Sequence, residues 1–277
     1  MLLPYKVEST RRVVPWSNLV LVGMCCLVHI GILAEFIPLE VVQEMVLAGW
    51  SPLQLFGSMF LHTNLLHLAG NMFFLIVFGN AICSRIGNTR YVLVYVATGL
   101  VASAAHLIFD GRPAVGASGA IAGVFGICVV VLPLADVKVF YWLIYALVGT
   151  VKVPCAIVLI IYAIMDVLAL VLGGGMVAHW AHVGGFVGGL TVGTIALVYH
   201  WLPEDADAGE TIVDLVRGPQ WKPRHRRNPQ RKSGVPYSLA DPGVVYPRAD
   251  QVPARVRRQS SGHRKLKVRN GPISDRS

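Results

Sequence analysis

Residues 91–109 read YVLVYVATGLVASAAHLIF, nineteen positions without an Asp, Glu, Lys or Arg. A helix needs about 20 largely apolar residues to cross the hydrocarbon core of a bilayer, so this run reads as a transmembrane span. The same reading repeats on either side of it. Val13–Ala34 is an earlier uncharged run, spanning from near Trp16. Met45–Ser84 is also uncharged but too long for one span. Its polar spots at Ser51-Pro52 and His62-Thr63-Asn64 divide it into an interfacial segment and a span from about His67 to Cys83. Downstream, Pro113–Ala135, Pro154 to about Leu172, and about Ala181 to Trp201 supply three more spans. Asp166 interrupts the fifth, and the glycines at 173–175 close it. Val139–Val151 is apolar but only 13 residues long, which suits an interfacial segment rather than a crossing.

Composition agrees. Of the 277 residues, 55% are hydrophobic and 14% charged, against about 25% charged in a soluble domain. A disordered chain is excluded and a soluble globular enzyme disfavoured, which leaves an all-α, six-helix membrane bundle. Six spans bring both termini to one side. Lys6, Arg11, Arg12, Arg85, Arg90, Lys138, Lys152 and the tail then share that side, and of 24 Lys and Arg only Arg112 faces the other. The positive-inside rule therefore predicts cytoplasmic termini. The expected organisation is a cytoplasmic segment 1–15, a membrane domain 16–202 and a tail 203–277.

The net charge of +9 belongs almost wholly to that tail, where residues 204–277 hold 16 basic and 8 acidic side chains. A basic arm beside a membrane suits anionic lipid better than nucleic acid. Its Pro, Arg, Ser and Gly content predicts disorder. Five cysteines in apolar stretches, without C-x-x-C spacing, suit packing rather than disulfides or zinc. No cleavable signal peptide or transit peptide is apparent.

Polar side chains at membrane depth are costly and mark function. Three clusters stand out: His62 to Asn71, Gly116 to Gly123, and Ala178 to Gly189. They begin spans two, four and six, which all run in the same direction, so a serine, two histidines and an asparagine arrive at one depth. Each has a plain packing role when taken alone. Ser118 is a small residue, Asn71 suits helix–helix contact, and Gly119/Gly123 and Gly185/Gly189 are small-xxx-small pairs. Together they meet a chemical need. A serine hydroxyl requires a base within about 3 Å, histidine supplies one near neutral pH, and the developing oxyanion requires donors. His67 and Asn71, four apart on one helix face, and the Ser118 amide near a helix start suit that task.

These residues resemble the rhomboid family of intramembrane serine proteases. Gly116-Ala-Ser118-Gly119 is similar to its G-x-S-G nucleophile motif, Ala181-His182-x-Gly-Gly to its A-H-x-x-G base motif, and His67-x-x-x-Asn71 to its H-x-x-x-N motif, with His62 as the companion histidine. The resemblance covers about residues 16–200. It implies a Ser118–His182 dyad without an acidic third member, and an oxyanion hole from His67, Asn71 and the Ser118 amide. Its substrates would be single-span membrane proteins whose small-residue segments unwind. It implies no cofactor and no metal. Two departures are visible: no acidic residue follows Phe78-Gly-Asn80, and Ala122 stands where an aromatic often follows the nucleophile.

Asp166 lies about 18 Å along a helix from Pro154. A structural, water-contacting or protonated aspartate is the favoured reading, and a polar partner such as His179 the other. His179 and His182 are spaced to share a metal, but without a neighbouring carboxylate the sequence argues against one. H-E-x-x-H is absent. The rival function is a non-catalytic rhomboid-like protein that binds transmembrane clients. A transporter is weaker, because no inverted repeat is visible. A bacterial plasma membrane is the expected location.

Overall fold

The computed structural model describes residues 2–8, 13–142, 148–173, 175, 177–199, 201 and 211–217. Along the chain run β1 (Leu2–Val7), α1 (Trp16–Leu33), α2 (Leu39–Met45), α3 (Pro52–Gly57), α4 (Leu65–Phe74), α5 (Asn80–Ile86), α6 (Asn88–Phe109), α7 (Ser118–Val131), β2 (Asp136–Trp142), β3 (Val148–Pro154), α8 (Cys155–Val171), α9 (His179–Val198) and α10 (Ile212–Arg217). A π-helical turn, Leu75–Gly79, joins α4 to α5 into one rod. Each expected span contains a helix. Among the described residues four helices, Trp16–Leu33, Leu65–Ile86, Asn88–Phe109 and His179–Val198, are long and apolar enough to cross a membrane, while α7 and α8 are shorter apolar helices.

Helix α7 is the centre of the bundle. Every residue of its 14 except Ser118 and Phe125 is buried. It lies against α9 at glycines. A β-carbon on Gly185 would strike the carbonyl of Gly119, and one on Gly189 that of Gly123. With no side chain there, backbone approaches backbone, as small-xxx-small pairs allow.

The π-turn has its own support. A π-turn shifts the hydrogen-bonding ladder and leaves a carbonyl needing a donor. The fully buried Asn18 of α1 donates to the Leu75 carbonyl at 2.8 Å and to Asn80 Oδ1 at 2.9 Å, and accepts from the Tyr91 hydroxyl at 2.5 Å. This set of polar groups, buried among apolar helices, is thus paired, as its desolvation demands.

The all-α expectation needs correction, because the mostly helical fold also holds a three-stranded antiparallel sheet in the order β1-β2-β3. The segment read as interfacial is its hairpin, with Asp136 opposite Pro154 and Trp142 opposite Val148. The N-terminal segment adds β1, Leu3 facing Phe140. Hydropathy saw only an apolar stretch. The alternation of buried Val137 and Val139 with more accessible Asp136, Lys138 and Phe140 is the period-two pattern of a half-buried strand. Glu8 closes the sheet's polar edge with Lys138 at 2.9 Å and Lys152 at 2.6 Å.

Most of the expected disordered tail, residues 203–210 and 218–277, lies outside the described residues. Within it, α10 is described and buries Val213, while Ile212 packs against the core and Leu215 and Val216 stay exposed.

Candidate functional site

The site is built at the first turns of α4, α7 and α9. Asn64, in extended conformation, caps α4 by accepting the His67 N–H at 2.8 Å. An N-cap that bonds the third helical amide satisfies one of the unpaired donors of the first turn. It also places His67 one turn below Asn64, where Thr63 Oγ1 lies 3.1 Å from the ring Nδ1. Asn71 follows one turn on, buried, and donates to the His67 carbonyl at 3.0 Å. His62 is buried against the His67 ring, centroids 5.2 Å apart.

The loop before α7 is held on the opposite side. Leu47 and Ala114 exchange both backbone hydrogen bonds at 3.0 Å, and the Gly116 N–H donates to the Ser58 carbonyl at 2.9 Å. Gly116 has φ +130°, a conformation that L side chains rarely adopt, and a β-carbon there would stand 3.0 Å from Cε1 and Nε2 of His67. The turn delivers Ser118 as the first residue of α7, where helix N–H groups lack intrahelical partners. Gly119 packs on Ala102 and Ala181.

From α9, His182 brings Nε2 to 2.8 Å from Ser118 Oγ. Its other nitrogen, Nδ1, lies 2.8 Å from Asp166 Oδ2, and Asp166 Oδ1 lies 2.5 Å from Nδ1 of the buried His179. A cavity of about 1850 Å³ opens over the group, lined by His62, His67, Asn71, Ser118, Asp166 and His182 among apolar side chains such as Phe74, Phe125 and Phe186. All seven residues singled out from sequence, Ser118, His182, His67, Asn71, His62, Gly116 and Gly119, gather here.

Asp166 is the residue whose place the sequence reading missed in part. The sequence offers His179 or another outer-side polar group as its partner; the structure supplies both His179 and His182. The available signal was the one charged residue of an apolar span set against two histidines three apart. Asp166, His179 and His182 also present ligand atoms within 4.8 Å of one another. The carboxylate whose absence argued against a shared metal is therefore present, although these atoms already bond to one another.

Fold and site together define a class: a helical membrane protein that holds a serine and a histidine in hydrogen-bond contact inside an apolar bundle. A family model for the Rhomboid domain matches residues 49–199, more than half of the chain, and the chain belongs to the rhomboid family. It is 30% identical over 156 residues to the rhomboid protease GluP of Bacillus subtilis, covering 56% of this chain and 27% of that one. It is 31% identical to the mitochondrial RHOMBOID-like protein 6 of Arabidopsis thaliana, covering 56% and 47%. It is 28% identical to the mitochondrial presenilin-associated rhomboid-like protein of Mus musculus, covering 48% and 35%. The chain thus spans between about a quarter and a half of the length of these curated relatives.

Proposed function

We propose that this chain is an intramembrane serine endopeptidase in which Ser118 is the nucleophile and His182 the general base. The observation that carries the reading is the 2.8 Å contact between His182 Nε2 and Ser118 Oγ, the geometry a general base needs to take the hydroxyl proton. Ser118 Oγ attacks the scissile carbonyl carbon while its proton passes to Nε2. The carbonyl π pair becomes an oxyanion that the His67 and Asn71 side chains and the Ser118 N–H are placed to bind. Collapse of the intermediate breaks the C–N bond, and His182 gives its proton to the leaving amine. Water then attacks the acyl carbon as its proton passes to His182; collapse breaks the ester C–Oγ bond, His182 returns that proton to Ser118 Oγ, and the carboxylic acid product leaves. Base catalysis of this kind contributes about 10²- to 10⁴-fold, and each oxyanion donor about 10²- to 10³-fold.

Six spans with cytoplasmic termini complete the proposal. Pairing of β1 with β2 supports it, because it puts the N-terminus and the connection between α7 and α8 on one side. Helix α7, 14 residues or about 21 Å, is shorter than the roughly 30 Å hydrocarbon core, which supports a Ser118 set below the outer surface. Single-span membrane proteins with locally unstable, small-residue helices are the proposed substrates, and anionic lipid the proposed contact of the basic tail. The relative from Bacillus subtilis supports a bacterial plasma membrane; the mitochondrial relatives make an organellar membrane the alternative, decided by fractionation.

The test is cleavage of a tagged transmembrane substrate by wild type, Ser118→Ala and His182→Ala in detergent or liposomes. Cutting by wild type alone supports the assignment, and undiminished cutting by Ser118→Ala overturns it. If wild type cuts none of several permissive substrates, a fluorophosphonate probe decides. Labelling at Ser118 indicates a selective enzyme, and no labelling indicates a client-binding protein.

A further inference from the structure

We infer that Asp166 is a positioning residue for this reaction, acting through His182; the inference rests on the hydrolytic reading of the site. Asp166 is the only charged residue among the seventeen of α8, and a carboxylate at membrane depth is retained only where it is paired. Here each of its oxygens has its own partner, Nδ1 of His179 on one and Nδ1 of His182 on the other. An ionised carboxylate only accepts hydrogen bonds, so both histidines must carry their proton on Nδ1. For His182 that leaves the Nε2 lone pair free, and Nε2 is the atom that faces Ser118 Oγ. The carboxylate therefore selects the tautomer able to take the serine proton and orients the ring. It also stabilises the imidazolium formed when that proton arrives.

His179 makes the arrangement rigid. It is the first residue of α9, with its side chain 9% exposed, and it holds the second oxygen so that the carboxylate cannot rotate away from His182. The buried residues of α8 are Cys155, Val158 and Leu159, all in its first two turns. Two hydrogen bonds accepted by Asp166 then tie the less buried second half of α8 to α9. Asparagine in this place would offer one acceptor and a pair of donors. The amide oxygen would stay with the more buried His179, so His182 would face the N–H and be driven to the other tautomer.

The experiment uses the full chain in detergent or liposomes and compares wild type with Asp166→Asn and Asp166→Glu. Melting temperature serves as the check on folding. Three quantities are read: kcat and KM on a tagged transmembrane substrate, the rate of fluorophosphonate labelling at Ser118, and the ¹⁵N spectrum of His182, assigned with His182→Ala. We expect Asp166→Asn to lower kcat by about 10²- to 10⁴-fold with KM changed by less than about threefold. Labelling should slow in parallel, Asp166→Glu should recover part of the rate, and the Nδ1–H signal of His182 should be lost in Asp166→Asn. A folded Asp166→Asn with wild-type kcat and labelling overturns the inference.

If wild type neither cuts nor labels, the hydrolytic reading itself falls, and the spectra still judge Asp166: an unchanged His182 tautomer in Asp166→Asn overturns its role. If Asp166→Asn does not fold, the wild-type spectrum decides alone. A His182 protonated on Nε2 refutes the inference, and one protonated on Nδ1 supports it.

Discussion

Gly116 lies against the ring of His67 so closely that a β-carbon would stand 3.0 Å from its Nε2, in a backbone conformation with φ +130°. Gly116→Ala must therefore strain the turn that delivers Ser118 or push aside the ring proposed to bind the oxyanion. Such backbone strain costs about 1–3 kcal/mol. A fall in melting temperature together with a loss of cleavage is expected, and a variant with wild-type cleavage would show that the ring can be moved freely.

His67 itself is expected to matter to the rate rather than to the fold. His67→Ala removes a ring nitrogen facing the cavity over Ser118 while the Asn64 cap, which holds the backbone N–H, persists. Loss of one oxyanion donor lowers kcat by about 10²- to 10³-fold. Steady-state kinetics with KM read separately tests this, and an effect confined to KM would place His67 in substrate binding instead.

The close approach of α7 and α9 sets the distance between Ser118 and His182. In Gly189→Ala the new methyl meets the Gly123 carbonyl, and relief requires the helices to part. Overpacking of this kind costs about 1–3 kcal/mol. Cleavage should fall further than the melting temperature alone would explain. Equal loss of folded protein and activity would speak against a geometric link.

Asn18 supports the rod α4–α5 from across the bundle. Asn18→Ala leaves the Leu75 carbonyl and the Tyr91 hydroxyl without their partner, and a buried unsatisfied group costs about 1–3 kcal/mol. Thermal unfolding should report that loss, while turnover per folded molecule stays near wild type.

The sheet carries a pH response of its own. Lys152 first and Lys138 second hold the Glu8 carboxyl down at about 2 from an ordinary 4.5. A carboxyl lowered by folding contributes stability that is fully present above its unfolded value and is lost as pH falls towards the folded one. Protection of β2 and β3 amides should therefore decline between about pH 4.5 and 2 in wild type, with Glu8→Gln flat across that window. Hydrogen exchange on either side of the window checks it, and an identical decline in both proteins would assign the effect elsewhere. The contribution is small, because the group is exposed and screened.

Much of this architecture is legible along the chain. The run 91–109 marks a membrane helix by composition alone, and the motifs around His67, Ser118 and His182 name the residues that meet in the cavity. Helix periodicity puts His67 and Asn71 on one face, since residues four apart share it whatever surrounds them, and the resemblance to the rhomboid motifs supplies Ser118 and His182. The hairpin 136–154 was less legible. Averaged hydropathy hides the alternation of Val137 and Val139, and the N-terminal strand that completes the sheet lies more than a hundred residues away in sequence.

The residue types and their order determined by themselves that this chain enters a membrane as helices and carries a serine, histidines and an asparagine at the starts of three of them. Only the tertiary structure decided that Asp166 reaches His182, because that contact depends on how α8 is rotated and set against α9. Rotation of one helix against another follows from packing between separate segments, for α8 at its buried Cys155, Val158 and Leu159 and for α9 at the glycines that meet α6 and α7, and no local periodicity encodes it.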